Sequence, residues 1–253
     1  MNVPFLYLMS VVLITRLLWV FRDERAEERA IIIAGVIRLA SLVPLLTSGH
    51  VWALVAGIIL MSVLHWRMES NRSVGSTALH RSRILLLGLW FLLLGVLCSA
   101  PFEVRFVAQL REWCSAAGSY HVFLAGVFVP HRGTFLAYLV GVVLAVGESH
   151  VVVRCLLEAF DVKPEKPADS AEEGLDEAEY SRGRIIGCLE RFIAFAFILQ
   201  GAFTALVFVV AVKNLTRFNQ LDERPFAEYF LIGTLLSVVC AGLAAGIIQV
   251  FII

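Results

Sequence analysis

The sequence predicts an all-α fold, a polytopic transmembrane helical bundle of about seven spans. Hydrophobic residues make up 59% of the 253 residues and charged residues only 17%, and the mean hydropathy is +0.83. Soluble domains are usually much less apolar. Several apolar stretches also approach the length of about 20 residues that a helix needs to cross a hydrocarbon core of roughly 30 Å.

Seven apolar stretches form the predicted spans. The first is interpreted as a retained helix, because charged residues and no small-residue cleavage site follow it. Pro44 predicts a kink or a stop near the end of the second stretch, since proline lacks a backbone donor. The tight connection at 48–50 leaves open whether the second and third stretches cross fully. The predicted spans are residues 3–21, 30–47, 51–66, 84–100, 134–153, 192–212 and 227–253.

Polar stretches divide the chain into three predicted parts. Residues 1–160 form an N-terminal bundle of five spans, in which 102–130 is a short interfacial or re-entrant segment. Residues 161–184 form an acidic polar linker, which resembles solvated chain in its composition. Residues 185–253 form a C-terminal transmembrane helical pair.

Basic residues predict the orientation in the membrane. The segments 22–29, 67–83 and 154–191 together hold 13 of the 21 Lys and Arg residues. Because basic loops stay in the cytoplasm, the N-terminus is predicted outside and the C-terminus in the cytoplasm.

Ionisable residues within the spans are candidates for function, because their burial in a membrane is costly. Arg16 lies one turn from the charged end of its span, which favours a side chain that reaches the headgroups. Arg38 and Glu148 lie deeper and form a candidate ion pair. The alternative for Glu148 is a span that ends at Gly147 and leaves it at the interface.

The last two spans combine small and polar residues. Gln200, Thr204, Ser237 and Gln249 form a polar stripe that either joins helices or lines a narrow aqueous path between subunits. Two pairs of glycines have the four-residue spacing of close helix packing. These predicted packing positions are Gly183, Gly187, Gly242 and Gly246.

Arginines on the predicted cytoplasmic side form a candidate ligand site. Guanidinium groups make paired hydrogen bonds to phosphate, so these residues suit a nucleotide-type ligand. The alternative is that they only set the topology. The candidates are Arg67, Arg72, Arg81, Arg83, Arg182 and Arg184.

No pattern typical of an enzyme occurs in the sequence. It contains no nucleophile elbow, zinc-protease motif or phosphate-binding glycine loop. The five cysteines are widely spaced and odd in number, which excludes a disulfide framework and favours small core residues. The net charge of zero argues against a nucleic-acid-binding surface over the whole chain. We therefore expect no catalytic residues, no metal site and no cofactor.

Three segments in the last third of the sequence are the basis of a resemblance to a known protein family. They are GRIIGCLER at 183–191, KNLTRF at 213–218 and RPFAEYFLIGTLLS at 224–237. In order and spacing they resemble the C-terminal helical pair of a bacterial family of uncharacterised integral membrane proteins, over roughly residues 182–245. The opening pattern of His-Leu, Asp-Phe and Gln usual in that family is absent here. The resemblance implies a bacterial inner-membrane protein with no assigned reaction.

The charged residues of these segments allow two arrangements. On a seven-span map, Glu190 and Arg191 lie across the membrane from Lys213 and Glu228. If the sixth span is instead a hairpin, all of them can form one charged belt. Arg224 and Glu228 are one turn apart and predict an i, i+4 pair.

Together these observations favour a homo-oligomeric pore or ion channel in the bacterial inner membrane. A cytosolic nucleotide or oligonucleotide, or a partner protein from the same operon, is the expected regulator. The architecture also resembles that of membrane effectors in antiphage defence systems, which is a likeness of architecture alone. The alternatives are a non-conducting anchor or scaffold for a partner protein and a secondary transporter.

Overall fold

The computed structural model of the protein contains helices and no strands in the part of the chain that it describes, which is residues 2–21, 25–45, 50–70, 76–102, 104–106, 132–160, 177–216 and 224–252. Five helices in this part are long and apolar enough to cross a membrane. This agrees with the predicted all-α membrane fold, but the predicted count of seven spans is wrong. The five helices are Val3–Val20, Val51–Ser70, Thr77–Leu97, Gly133–Ala159 and Ala227–Ile252.

The chain divides into two compact units. Unit 1 comprises residues 1–143 together with 250–253, and unit 2 comprises residues 144–249. The division falls inside the predicted fifth span, upstream of the domain boundary expected at residue 160.

Unit 1 contains five helices in chain order. Helix α1 packs against α2, α4 and α5, and α3 packs against α2 and α4. The bounds are α1 Val3–Val20, α2 Glu28–Ala40, α3 Val51–Ser70, α4 Ser76–Leu97 and α5 Arg132–Val143. The core of unit 1 therefore surrounds α1, in which Leu6, Met9 and Leu13 are fully buried.

Helix α2 explains why the second predicted span falls short. It has 13 residues and ends at Ala40, so its length is about 20 Å at 1.5 Å per residue. A single 3₁₀ turn at Val43–Leu45 follows. Pro44 lies in this turn, which confirms the predicted stop, because proline cannot continue an α-helix without losing a hydrogen bond.

Unit 2 begins with a π turn at Leu144–Glu148. Four helices follow it: α6 Ser149–Ala159, α7 Glu177–Leu199, α8 Phe203–Thr216 and α9 Arg224–Ile252. Helix α7 contacts the π turn and α8. Helix α9 packs on α6 through Val153, Leu157 and Cys240, which are all buried.

The predicted sixth span is a helical hairpin. Gly201 adopts φ +68°, and the hydrogen bonds Gly201 N to Ile198 O (3.1 Å) and Ala202 N to Phe197 O (2.9 Å) close the end of α7. This is a Schellman motif, in which glycine takes the left-handed position at low cost. The chain therefore reverses at Gly201, and residues 192–212 do not form one span.

Several sequence predictions lie outside the described residues or meet a different boundary. The predicted segment 102–130 lies outside the described residues except at 102 and 104–106. In the predicted linker, 161–176 lies outside them, and 177–184 already belongs to α7. The fifth predicted span continues as one helix from Gly133 to Ala159, so this helix does not end at Gly147.

Candidate functional site

Unit 2 contains an open cavity of about 520 Å³ between α6, α7, α8 and α9. This volume lies within the range of about 300 to 1,000 Å³ that is typical of small-molecule sites. Its walls combine apolar residues with several charged ones. The polar lining includes His150, Arg154, Arg184, Glu190, Arg191 and Lys213.

One face of α7 forms a wall of the cavity. Gly183, Arg184, Gly187, Glu190 and Arg191 all line it, because residues three or four apart share a helix face. A Cβ atom at Gly183 would meet no other atom within 4 Å, and one at Gly187 would lie 3.3 Å from Arg191 Nη1. Both predicted packing glycines therefore face the cavity and widen it.

An ion pair joins the two arms of the hairpin beside the cavity. Lys213 Nζ on α8 lies 2.5 Å from Glu190 Oε2 on α7, and both side chains are 22% exposed. The Lys213 ammonium also lies 5.0 Å from the centre of the Phe230 ring on α9, which is within the range of a cation–π contact. Lys213 thus links three helices, and the hairpin alternative considered from the sequence is the arrangement found for Glu190 and Lys213.

Arg191 fixes α7 to the π turn. Its Nη2 atom donates to the carbonyl oxygen of Val146 at 3.2 Å, and the residue is only 4% exposed. A π turn widens the helix and is frequent at functional sites. Here Ser149 Oγ donates to Leu144 O at 2.9 Å within the same turn. Glu148, which ends the turn, is buried in unit 2.

The lining residues that α9 contributes to the described cavity are uncharged. Gly233 and Ser237 line the cavity one turn apart, and a Cβ atom at Gly233 would meet nothing within 4 Å. Thr234 is buried and its hydroxyl donates to the Phe230 carbonyl oxygen at 2.8 Å. Of the predicted polar stripe, Ser237 is thus the residue that lines the cavity.

Two other members of the polar stripe lie at the turn of the hairpin. Gln200 follows α7 and is exposed, and its Nε2 atom donates to Ala196 O at 3.2 Å. Thr204 is exposed at the start of α8. Gln249, near the end of α9, is also exposed. The four residues of the predicted stripe therefore lie at three different places, which are the cavity, the turn of the hairpin and the end of α9.

Unit 1 contains a second buried polar group, centred on Glu69. Arg83 donates to it from Nε (2.7 Å) and from Nη2 (3.1 Å), and Ala26 N donates to its Oε2 atom at 3.0 Å. Arg16 Nη2 in turn donates to the Arg83 carbonyl oxygen at 3.0 Å. Arg16 and Arg83 are both 0% exposed. The prediction that Arg16 reaches the headgroups is therefore wrong, because its guanidinium is used inside the unit.

Arg38 is held by α1 and by two tryptophans. Its Nε atom donates to Thr15 Oγ1 at 2.9 Å, and its guanidinium carbon lies 5.7 Å from the Trp19 ring centre and 5.1 Å from that of Trp90. Such contacts stabilise a desolvated cation by about 2 kcal/mol or more. Arg38 belongs to unit 1 and Glu148 to unit 2, so the candidate pair between them stays a prediction.

His65 is buried next to this group of charges. Its ring packs edge-on against Trp19 with 4.9 Å between the centroids. Its Nε2 atom lies 4.0 Å from Glu69 Oε1, and neither ring nitrogen makes a hydrogen bond within the described residues. His65 therefore contributes mainly packing to unit 1.

The predicted ligand arginines occupy different environments. Arg67 and Arg81 are exposed on α3 and α4, whereas Arg83 is buried against Glu69. Arg184 lines the cavity of unit 2. Arg72 and the side chain of Arg182 lie outside the described residues. The structure therefore does not gather these six arginines into one described site.

Gly242 and Gly246, the other two predicted packing glycines, have different surroundings. A Cβ atom at Gly242 would contact Ile198 Cδ1 at 3.7 Å, which fits a packing role, whereas Gly246 meets nothing within 4 Å. Within the described residues no group of three His, Cys, Asp or Glu residues is placed to hold a metal. Cys98, Cys155 and Cys240 are free and buried, as the sequence predicted for small core residues.

Sequence reasoning missed Glu69 and His65. The predicted third span ended at residue 66, so Glu69 was counted with the basic loop 67–83. The signal was present, since His65 and Glu69 are four residues apart and share a face of any helix that continues. The cavity was missed because four separate helices build it, although α7, α8 and α9 each contain residues quoted for the resemblance.

Comparison with protein-family models, with curated proteins and with solved structures finds no match to this chain.

Proposed function

We propose that the chain is one subunit of a homo-oligomeric pore or ion channel in a bacterial inner membrane, regulated by a cytosolic ligand or partner. The observation that carries this proposal is the helical hairpin that reverses at Gly201 with polar side chains at its turn. No catalytic role is part of the proposal.

The length of the hairpin supports a position of its turn deep in the membrane. The apolar part of α8, from Phe203 to Val212, has ten residues between the turn and Lys213, or about 15 Å at 1.5 Å per residue. On α7, the apolar residues between Arg191 and the turn number eight. If the charged ends lie at the membrane surface, the turn lies near the middle of a hydrocarbon core of roughly 30 Å.

A turn at this depth requires polar surroundings. Backbone groups that leave a helix in the hydrocarbon core are tolerated only where protein covers them or where they line water. Gln200 and Thr204 place an amide and a hydroxyl at the same level, and both side chains are exposed within the single chain. A water-filled path or the turn of a neighbouring subunit satisfies both requirements.

The exposed face of α8 favours assembly of several subunits. Phe203, Val207 and Phe208 are between 60% and 68% exposed. One helical hairpin cannot enclose an aqueous path, whereas a ring of hairpins can do so, with polar turns inward and apolar faces toward lipid or neighbours. A homo-oligomer is therefore part of the proposal.

The hairpin also revises the expected membrane orientation. Because α7 and α8 form a hairpin, the connector with Lys213, Arg217 and Arg224 lies on the same side as the acidic linker. The positive-inside rule is consistent with this side, because the basic connector then lies with the basic segment 154–191 in the cytoplasm. Helix α9 then crosses outward, so we propose a C-terminus outside rather than in the cytoplasm. Five spanning helices put the two termini on opposite sides, so the N-terminus is then proposed in the cytoplasm rather than outside.

The proposal is tested by planar-bilayer current from the purified full chain, with protein-free nanodisc lipid as the blank. Cytosolic nucleotides and short oligonucleotides are added in turn. We compare the wild type with the double variant Gln200→Leu/Thr204→Val and with Thr134→Val on α5 as the matched control. We expect discrete conductance that falls in the double variant and persists in the control.

Two results would contradict the pore. A correctly assembled oligomer that conducts nothing under any ligand indicates a scaffold, and pull-down of partner proteins then becomes the next experiment. Substrate uptake into vesicles that saturates without channel-like current indicates a secondary transporter. Size-exclusion chromatography of each variant shows that a loss of current is not a loss of assembly.

A further inference from the structure

We infer that the cavity of unit 2 binds a phosphate-bearing anion, held mainly by the guanidinium groups of Arg154 and Arg184. The inference rests on the proposed function in so far as it names the chemical class and the place of the regulating ligand. The binding itself is a property of unit 2 that is measured without any current.

The charge of the lining favours an anion. Arg154 on α6, Arg184 and Arg191 on α7 and Lys213 on α8 face the cavity, and among the described lining residues the acid is Glu190. Since Glu190 is bonded to Lys213 at 2.5 Å, its charge is largely compensated. Among the described residues, four basic side chains and one acidic side chain therefore line the cavity, and walls of low polarity strengthen the field of the charges that line a cleft.

Arg154 and Arg184 carry guanidinium groups, which are suited to binding phosphate. Each guanidinium presents a planar fork of donors that binds two phosphate oxygens at once. Arg154 and Arg184 are half-buried, so their bonds to a ligand are partly shielded from water and salt. They come from different helices, α6 and α7.

The other walls suit the remainder of such a ligand. Gly183, Gly187 and Gly233 line the cavity without side chains, and Gly183 and Gly233 leave open space at the Cβ position. Tyr229 and Phe230 supply aromatic surface on α9. A volume of about 520 Å³ exceeds that of a phosphate alone. The phosphate can therefore belong to a soluble nucleotide or to the headgroup of a lipid.

The Glu190–Lys213 ion pair connects the proposed binding site to the helical hairpin of α7 and α8. The pair joins the two arms of the hairpin and lies in the wall of the same cavity. An anion next to Lys213 competes with Glu190 for the ammonium, which loosens the contact between α7 and α8. Occupancy of the cavity is thereby coupled to the turn at Gly201.

The test uses the full chain and two probes, one in nanodiscs and one in detergent. In nanodiscs of phosphatidylcholine, pyrophosphate binding is measured by titration calorimetry. In detergent, retention of phosphatidylglycerol over phosphatidylcholine is measured by native mass spectrometry. The variants are Arg154→Gln and Arg184→Gln, and the matched control is Arg81→Gln, which changes an exposed arginine of α4.

A steric variant covers the case in which an arginine change disturbs folding. Gly233→Leu leaves every charge in place and projects a side chain into the cavity, where a Cβ atom has open space. Gly88→Leu on α4, which also has open space at its Cβ position, is its control. We expect Gly233→Leu to abolish binding and Gly88→Leu to preserve it.

The outcomes separate the sources of phosphate from the failure of the inference. Saturable pyrophosphate binding that weakens about tenfold with each arginine change identifies a soluble ligand. Selective retention of phosphatidylglycerol that both changes abolish identifies a lipid headgroup. Binding of neither probe, or equal binding by the control and cavity variants, overturns the inference. A chain that binds but does not conduct contradicts only the pore, and one that conducts but binds neither probe contradicts only this site.

Discussion

At the scale of single residues, the buried arginines of unit 1 are each matched to a specific acceptor or ring. Arg83 bonds Glu69, Arg16 bonds the Arg83 carbonyl, and Arg38 bonds Thr15 beside two tryptophans. Buried charges of this kind add little net stability compared with an apolar core, but removing one partner is costly. The group therefore fixes which helices pack together, and its integrity can be tested directly.

We predict that Glu69→Ala destabilises unit 1 by about 3–5 kcal/mol, because Arg83 loses the carboxylate that it bonds and Ala26 loses its acceptor. Thermal unfolding in detergent, followed by tryptophan fluorescence, measures the change. Glu28→Ala, which removes an exposed acid from the first turn of α2, is expected to cost less than about 1 kcal/mol. Equal melting temperatures for the two variants would disprove the role of Glu69.

A second residue-scale prediction concerns Cys98, which lies just beyond α4. Burial raises the pKa of its thiol to about 11, and only the thiolate is nucleophilic. In single-cysteine variants at pH 8, Cys98 should therefore react with N-ethylmaleimide more slowly than the partly exposed Cys188. Its rate should still be rising above pH 9, since the raised pKa keeps the thiol protonated until then. A rate for Cys98 that equals that of Cys188 at pH 8 would contradict this assignment.

The sequence identified residues with an important structural role more readily than it identified the residues that they contact. Arg38 was singled out because a charge within an apolar stretch is rare, and it is indeed only 1% exposed. Its contacts with Thr15, Trp19 and Trp90 come from other helices. Hydropathy along one chain contains no information on such neighbours, so the sequence does not predict these contacts.

At the scale of elements, the hairpin of α7 and α8 is the feature that most changes the interpretation of the chain. Residues 192–212 are apolar throughout, so a hydropathy window sees one span. The reversal depends on the single glycine at 201, whose φ of +68° is unfavourable for other L-residues. Glycine also occurs in the middle of straight membrane helices, so its presence alone did not predict a turn.

We predict that Gly201→Ala destabilises the hairpin by about 1–2 kcal/mol, the cost of a left-handed L-residue. Gly95→Ala on α4 has open space at the Cβ position and should instead stabilise its helix by about 0.5–1 kcal/mol. Thermal unfolding of both variants provides the comparison. If Gly201→Ala melts at or above the wild-type temperature, residues 192–212 do not form this hairpin in the membrane.

At the scale of the whole molecule, composition predicted the all-α membrane fold, and the count of spans failed in two places. The helix of the second stretch ends early, at Ala40, and Pro44 in the following turn is a signal that the sequence contained. The sixth reverses at Gly201, for which there was no such signal. Each failure changes the side of the membrane on which the following segments lie.

The orientation proposed for the full chain predicts where reporter proteins are active. Alkaline phosphatase fused after residue 253 should be active, because the C-terminus lies outside, and green fluorescent protein inserted near residue 170 in the acidic linker should fluoresce in the cytoplasm. The exchanged fusions serve as controls and should be silent. Fluorescence of green fluorescent protein fused to the C-terminus would indicate that residues 192–212 cross the membrane. This result would contradict the re-entrant hairpin.

The most direct test of the central claim is whether water and ions reach the turn of the hairpin during conduction. We would record current from Thr204→Cys in a chain whose five native cysteines are replaced by alanine, before and after addition of a cationic methanethiosulfonate. Leu231→Cys, at an exposed apolar position of α9, is the matched control. The account predicts that the reagent blocks current through Thr204→Cys and leaves Leu231→Cys unchanged. Current that persists in Thr204→Cys, or equal block of both variants, would show that the hairpin does not line the path.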